Sequence, residues 1–174
     1  MYFSLYRYFA IEPYISTLYH YCNGQYEGPP LIEPQVVNQM ISGIDYMNCN
    51  LKMPHGDLNP LNVLITHQQQ IKLSDFGLSK FSYTKYPSDD IPIEIPPAVT
   101  ICKRKYWLAN KKTIDPEVIK NSSSKIFPTE MDDIFAAGCL IFYFLNGGLH
   151  PFGDDPESIE SNMKQRNLVN MPSK

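Results

Sequence analysis

At 174 residues the chain is one domain or part of one. Its 43% hydrophobic content supports a packed core and excludes disorder throughout, and a net charge of −3 offers nothing global to attract nucleic acid. Four cysteines (Cys22, Cys49, Cys102, Cys139) lie far apart without paired spacing, the pattern of free thiols in a reducing compartment and not of a disulfide frame or zinc site. Lys103, Arg104, Lys105, Lys111 and Lys112 form a basic cluster whose simplest reading is a solvated loop.

Along the chain, the apolar start from Met1 to Ile11 lacks the cationic leader and small-residue cleavage site of a signal peptide. Aromatic and β-branched residues predict a strand over Tyr6 to Glu12, stopped by Pro13. A short helix or turn follows over Thr17 to Tyr26, and Gly28-Pro29-Pro30 breaks the chain. The next helix has Pro34 in its first turn. Val37, Met40, Ile41, Ile44 and Met47 give it one apolar stripe, and it ends near Asn48 to Asn50. Val63 to Ile65 and Ile71 to Leu73 read as a hairpin joined by the polar run Thr66 to Gln70.

Ser82 to Asn110, with several prolines and mixed charge, reads as a long irregular loop. A helix from Asp132 or Asp133 to Leu145 is apolar almost all round, which predicts a central, buried position. Its apolar run, Ile134 to Leu145, is 12 residues long. A membrane span needs ~20, so none is expected here. Asn146-Gly147-Gly148 ends the helix, with glycine free to take positive φ. One more helix is expected around Pro156 to Asn167.

The chemistry concentrates in His55-Gly56-Asp57-Leu58-Asn59-Pro60-Leu61-Asn62 and, 13 residues after Asn62, Asp75-Phe76-Gly77. Phosphoryl transfer needs a carboxylate to orient the attacking hydroxyl. It also needs hard oxygen ligands for the metals that neutralise the phosphates. Asp57 suits the first task, and Asn62 with Asp75 suits the second. His55 reads as structural, and His20, His67 and His150 have no partners at ligand spacing.

These two segments resemble the catalytic and metal-binding loops of protein kinases. Tyr8-Phe9-Ala10-Ile11-Glu12, Asp75 to Lys80, Asp133 to Cys139 and His150-Pro151-Phe152-Gly153 carry the resemblance further. Within that family the chain looks similar to the inositol-requiring kinase–endoribonuclease sensors of the unfolded protein response. The resemblance implies an α+β, protein kinase-like fold: a mainly helical C-terminal lobe with a short strand remnant of the N-terminal lobe. Residues 1–174 are then a partial kinase domain, with 1–12 the last small-lobe strand and hinge and 13–174 an incomplete large lobe.

It implies a serine/threonine kinase using ATP and Mg2+ to phosphorylate a protein substrate. Asp57 is the catalytic carboxylate, Asn62 and Asp75 the metal ligands. Phe76 is expected to pack inward and Gly77 to permit the sharp turn. Glu12 and Tyr14 offer hinge backbone groups to adenine, and Leu64 is the floor beneath it. Asp115-Pro116-Glu117 closes the activation segment, with Trp107-Leu108-Ala109 as a competing alignment. Asp133, or Asp132 in its place, anchors the catalytic loop. A homodimer or kinase-domain partner, a cytoplasmic location and a parent tethered at the endoplasmic reticulum are further implications, with no nucleic acid and no membrane insertion expected of this segment.

Two departures stand out. Gly56 replaces the arginine that pairs with a phosphorylated activation loop, and Asn59 replaces the lysine near the γ-phosphate. Asn59 can donate a hydrogen bond but cannot neutralise charge, a loss on the order of 10²-fold in rate. Only about ten residues precede the hinge, and no lysine occurs before Lys52, so the glycine-rich loop and phosphate-pairing lysine are not expected here. A half-lobe of this kind is expected to expose apolar surface and to be marginally stable or in need of a partner. Two other readings stay open: an impaired pseudokinase or interaction module, and a small-molecule phosphotransferase. In aminoglycoside and choline kinases a His-Gly-Asp loop is normal.

Overall fold

A computed structural model describes residues 10–79 and 130–171. The predicted loop from Ser82 to Asn110, the basic cluster, Cys102 and Asp115 to Glu117 lie outside these residues.

Pro13 marks no strand end. Tyr6 to Phe9 lie outside the described residues, and Ala10 to Glu12 are irregular. The first strand among the described residues, β1, is Ser16–Thr17, beyond the proline. It runs antiparallel to β2 (Val63–Ile65), with Ser16 opposite Ile65 and Thr17 opposite Leu64. β2 pairs in turn with β3 (Ile71–Leu73), placing Val63 opposite Leu73 and Ile65 opposite Ile71. The hairpin matches its sequence signal. Its loop closes through the Thr66 N–H to the Gln70 carbonyl at 3.0 Å, and Gln69 takes the left-handed turn position at φ 59°. All of β2 is buried, as expected of a central strand covered on both faces.

Thr17 also caps helix α1 (Leu18–Cys22), its hydroxyl accepting from the His20 N–H at 3.3 Å. Helix α2 (Glu33–Asp45) begins with proline in its first turn and continues as a π-helical turn over Tyr46–Asn50. The stripe lies where the sequence reading puts it except at Ile41, with Val36 added to it. Val36, Met40, Ile44 and Met47 are buried, whereas Ile41 is 49% exposed. Val37 is half-buried against the core, whereas Ile41, about 100° round the helix from Met40, lies at the edge of the buried face. Gln39 on α2 accepts the Ile71 N–H at 2.7 Å, tying the helix to the outer strand.

Helix α3 (Glu130–Leu145) packs Ala136, Leu140 and Phe144 against α2, β2 and Leu18 in one core cluster. A second cluster joins its Cys139 to Phe152 and to Ile159 on helix α4 (Pro156–Gln165). Its place in both clusters agrees with the central position expected of it, and among the described residues its Met131, Ile134 and Leu145 are exposed. Gly147 and Gly148 take φ of 61° and 93° after its end, as expected. Asp155 caps α4 by accepting the N–H groups of Glu157 and Ser158 at 3.1 and 3.0 Å. No helix among the described residues is long and apolar enough to cross a membrane.

Met40 is 1% exposed at the centre of this packing. Met40→Ala should cost about 2–5 kcal/mol in urea unfolding. Ile41→Ala should stay within about 0.5 kcal/mol. Equal losses at the two positions would contradict the observed stripe.

Candidate active site

The segment from Pro54 to Leu58 is buried although it has no regular structure. Buried backbone must find partners, and here they come from α3. The Asp133 carboxylate accepts the His55 N–H at 2.7 Å and the Gly56 N–H at 2.9 Å. This settles which acid anchors the loop: Asp133 rather than Asp132. Burial raises the Asp133 pKa, while the Gly56 and His55 amides and the His55 ring pull it back. Gly56 sits at φ 74°, where a side chain is strained, so the residue that departs from the kinase pattern also suits this bend.

His55 is fully buried. Its Nδ1 accepts the Asp57 N–H at 3.3 Å, so the proton sits on Nε2, which donates to the Ser74 carbonyl at 2.9 Å. Burial lowers its pKa below the ordinary 6.5, against smaller opposing effects of Asp133, Ser74 and Asp75. The neutral ring therefore belongs to the fold, in agreement with a structural role.

Asp57, 7% exposed, is held by its neighbours in the loop. Asn62 donates from Nδ2 to the Asp57 carbonyl at 2.9 Å and to its carboxylate at 3.3 Å. That orientation of the amide leaves Asn62 Oδ1 turned away from Asp57. Asn59 also donates to the Asp57 carbonyl, at 3.0 Å, while its Oδ1 accepts the Leu61 N–H at 3.0 Å. Asn59, expected near a phosphate, folds back in this structure and builds the loop. Its amide is short enough to satisfy backbone that a lysine would leave alone.

The Ser74 N–H donates to the Asn62 carbonyl at 2.9 Å, and the Ser74 hydroxyl donates to the same oxygen at 3.2 Å. This brings Asp75 next to Asn62. Asp75 is exposed and takes the left-handed conformation, φ 63° and ψ 64°, before a 3-10 turn over Phe76–Leu78. The sharp bend expected at Gly77 is thus made at Asp75. Phe76 is not buried as expected: it is 48% exposed, with its ring 5.2 Å from that of His55.

Asn62 Oδ1 and the Asp75 carboxylate are hard oxygens that fit Mg2+, which keeps several waters and phosphate ligands and needs few from protein. Among the described residues no group of three or more His, Cys, Asp or Glu could hold a metal.

Leu64 is 8% exposed at the centre of the sheet. The Glu12 carboxylate pairs with Lys72 at 3.3 Å, and Tyr14 is half-exposed. Neither the Glu12 carbonyl nor the Tyr14 N–H is used in a backbone hydrogen bond among the described residues. His20 bonds Thr17, and buried His150 accepts the Phe152 N–H, both local packing roles. Cys22, Cys49 and Cys139 are free, and burial pushes the Cys22 and Cys139 thiols up to about 12.

The protein kinase domain profile matches residues 17–174. The chain belongs to the protein kinase family. It is 34% identical over 159 residues to the human serine/threonine-protein kinase/endoribonuclease IRE2, a match covering 86% of this chain and 15% of that protein. It is 30% identical over 174 residues to the serine/threonine-protein kinase/endoribonuclease ire-1 of Caenorhabditis elegans, covering 96% and 16%. The probable serine/threonine-protein kinase irlA of Dictyostelium discoideum is 31% identical over 118 residues, covering 67% and 7%. This kinase-family chain therefore spans about a sixth or less of the length of these relatives.

Sequence reasoning missed Ser74 and Ser79. Ser79 donates its hydroxyl to the His55 carbonyl at 3.0 Å. The only signal was a hydroxyl residue on each side of the Asp75 motif, too common to single out.

Two outcomes follow for this kinase loop. Asp133→Asn puts an N–H2 against one backbone N–H, and should cost about 1–3 kcal/mol in urea unfolding. His55 has a lowered folded pKa, so below its ordinary 6.5 the unfolded chain binds more protons. Thermal stability should fall as pH drops from about 7 to about 5, and His55→Gln should flatten that slope.

Proposed function

We propose that this chain carries the phosphoryl-transfer centre of a serine/threonine protein kinase, acting on protein hydroxyls with ATP and Mg2+. The observation that supports it most is the joining of Asp57, Asn62 and Asp75 through Asn62. Its side chain grips Asp57, and its carbonyl holds Ser74, the neighbour of Asp75. Bound Mg2+ supplies charge neutralisation for the phosphates. Asn62 Oδ1 and the Asp75 carboxylate hold it. The Asp57 carboxylate accepts a hydrogen bond from the substrate hydroxyl and orients it for in-line attack. Glu12 and Tyr14 offer backbone groups to adenine above Leu64. Residues 13–174 are assigned to the large lobe. A cytoplasmic setting fits the ATP donor and the free thiols. A second kinase domain is a further proposed partner.

A second reading, a nucleotide-binding module with impaired transfer, draws support from Asn59. Its amide is committed to the loop and carries no charge to offer a γ-phosphate.

Phosphate transfer from labelled ATP to a general protein substrate separates the two. Transfer should be measurable and should drop by about 10²–10⁴-fold in Asp57→Ala. Asn62→Ala and Asp75→Ala should weaken nucleotide binding with Mg2+ and spare metal-free binding. Magnesium-dependent binding without transfer would leave the second reading standing. Phosphorylation of aminoglycosides or choline and of no protein would overturn both.

A further inference from the structure

The turn that presents Asp75 holds a costly conformation. A non-glycine residue in the left-handed region costs on the order of 1 kcal/mol or more and persists only when its surroundings impose it. Asp75 is at φ 63°, exposed, and followed by a half-exposed Phe76. Among the described residues, the packing shown for the turn is little more than the Phe76 ring against that of His55.

Hydrogen bonds at its two ends supply the constraint. At the leading end, His55 Nε2–H donates to the Ser74 carbonyl at 2.9 Å. At the trailing end, the Ser79 hydroxyl donates to the His55 carbonyl at 3.0 Å. One buried residue thus holds both ends of the Ser74 to Ser79 segment, once with its side chain and once with its backbone. His55 is itself fixed from α3, since its N–H is bonded to Asp133 at 2.7 Å. The trailing bond is the weak point, because it depends on a single rotatable hydroxyl on a partly exposed residue.

We propose that Ser79 is a positioning residue for the metal-binding turn, its hydroxyl latching the turn to the His55 carbonyl so that Asp75 stays beside Asn62. The assignment of Asp75 and Asn62 as ligands rests on the kinase reading above; the latch itself does not. Ser79 touches no reacting atom and acts through the placement of Asp75. Ser79→Thr keeps the hydroxyl, and Ser79→Ala removes it without adding bulk.

Amide hydrogen exchange on the full chain tests the latch, and calorimetric titration with a non-hydrolysable ATP analogue, with and without Mg2+, tests its consequence. In Ser79→Ala, exchange of the Ser79 amide, bonded to the Phe76 carbonyl at 3.0 Å, should quicken about five-fold, the factor carried by one neutral hydrogen bond. The Ile71 amide, bonded to Gln39, should not change. Affinity with Mg2+ should fall by a similar factor while metal-free affinity holds. Ser79→Thr should restore both readouts. Unchanged exchange in Ser79→Ala would overturn the latch. Faster exchange with unaltered magnesium-dependent affinity would overturn the positioning role. A wild-type chain that binds no nucleotide would overturn the kinase reading and leave the exchange result to decide the latch.

Discussion

The loop that carries Asp57 has no regular structure of its own and yet lies buried, and the Asp133 carboxylate is what makes that tolerable. Two successive backbone N–H groups, of His55 and Gly56, point into the interior and end on its two oxygens. Left unpaired, each would cost about 1–3 kcal/mol. Asp133 sits in the first turn of α3, where the helix dipole favours a carboxylate and offsets part of the cost of burying it. From this contact the order spreads outward. A fixed His55 backbone fixes its ring, the ring fixes Ser74, and Ser74 sets Asp75 beside Asn62.

Asparagine serves twice in this loop as scaffold. Asn59 and Asn62 both donate to the Asp57 carbonyl, at 3.0 and 2.9 Å, so that one oxygen gathers the loop around itself. The side chain of Asn62 is long enough to reach the Asp57 carboxylate as well and still leave an oxygen over. That of Asn59 spends its oxygen on the Leu61 N–H. The same amide chemistry therefore yields two outcomes. One asparagine retains a free hard ligand, and the other becomes part of the backbone's hydrogen bonding. Gly56 belongs with this economy of space, because its left-handed φ lets both N–H groups face Asp133.

Much of this was legible in sequence. The hairpin strands fall at the predicted residues because β-branched runs flanking a polar loop leave few other pairings. The extents of α2 and α4 follow from proline near their starts and from their periodicity. The spacing of Asp57, Asn62 and Asp75 pointed to one chemistry, and the match to the protein kinase family over residues 17–174 agrees with it. The strand expected before Pro13 failed where it can be checked. Propensity alone cannot say whether a partner strand lies alongside, and β1 forms instead where Ile65 and Leu64 are in reach.

Residue types and periods determined most of the elements, and the resemblance of short motifs pointed to the family and the three oxygen-bearing side chains, because those depend on neighbours a few positions away. Tertiary structure alone decided between Asp132 and Asp133, since that choice is a contact across 78 residues. It also decided that Ile41 stays outside the α2 stripe, that Asn59 turns inward, that Asp75 and not Gly77 takes the left-handed bend, and that Ser79 reaches His55. Each of these turns on where a donor meets an acceptor, or on what covers a helix face, once distant segments are packed together. No local pattern encodes that distance.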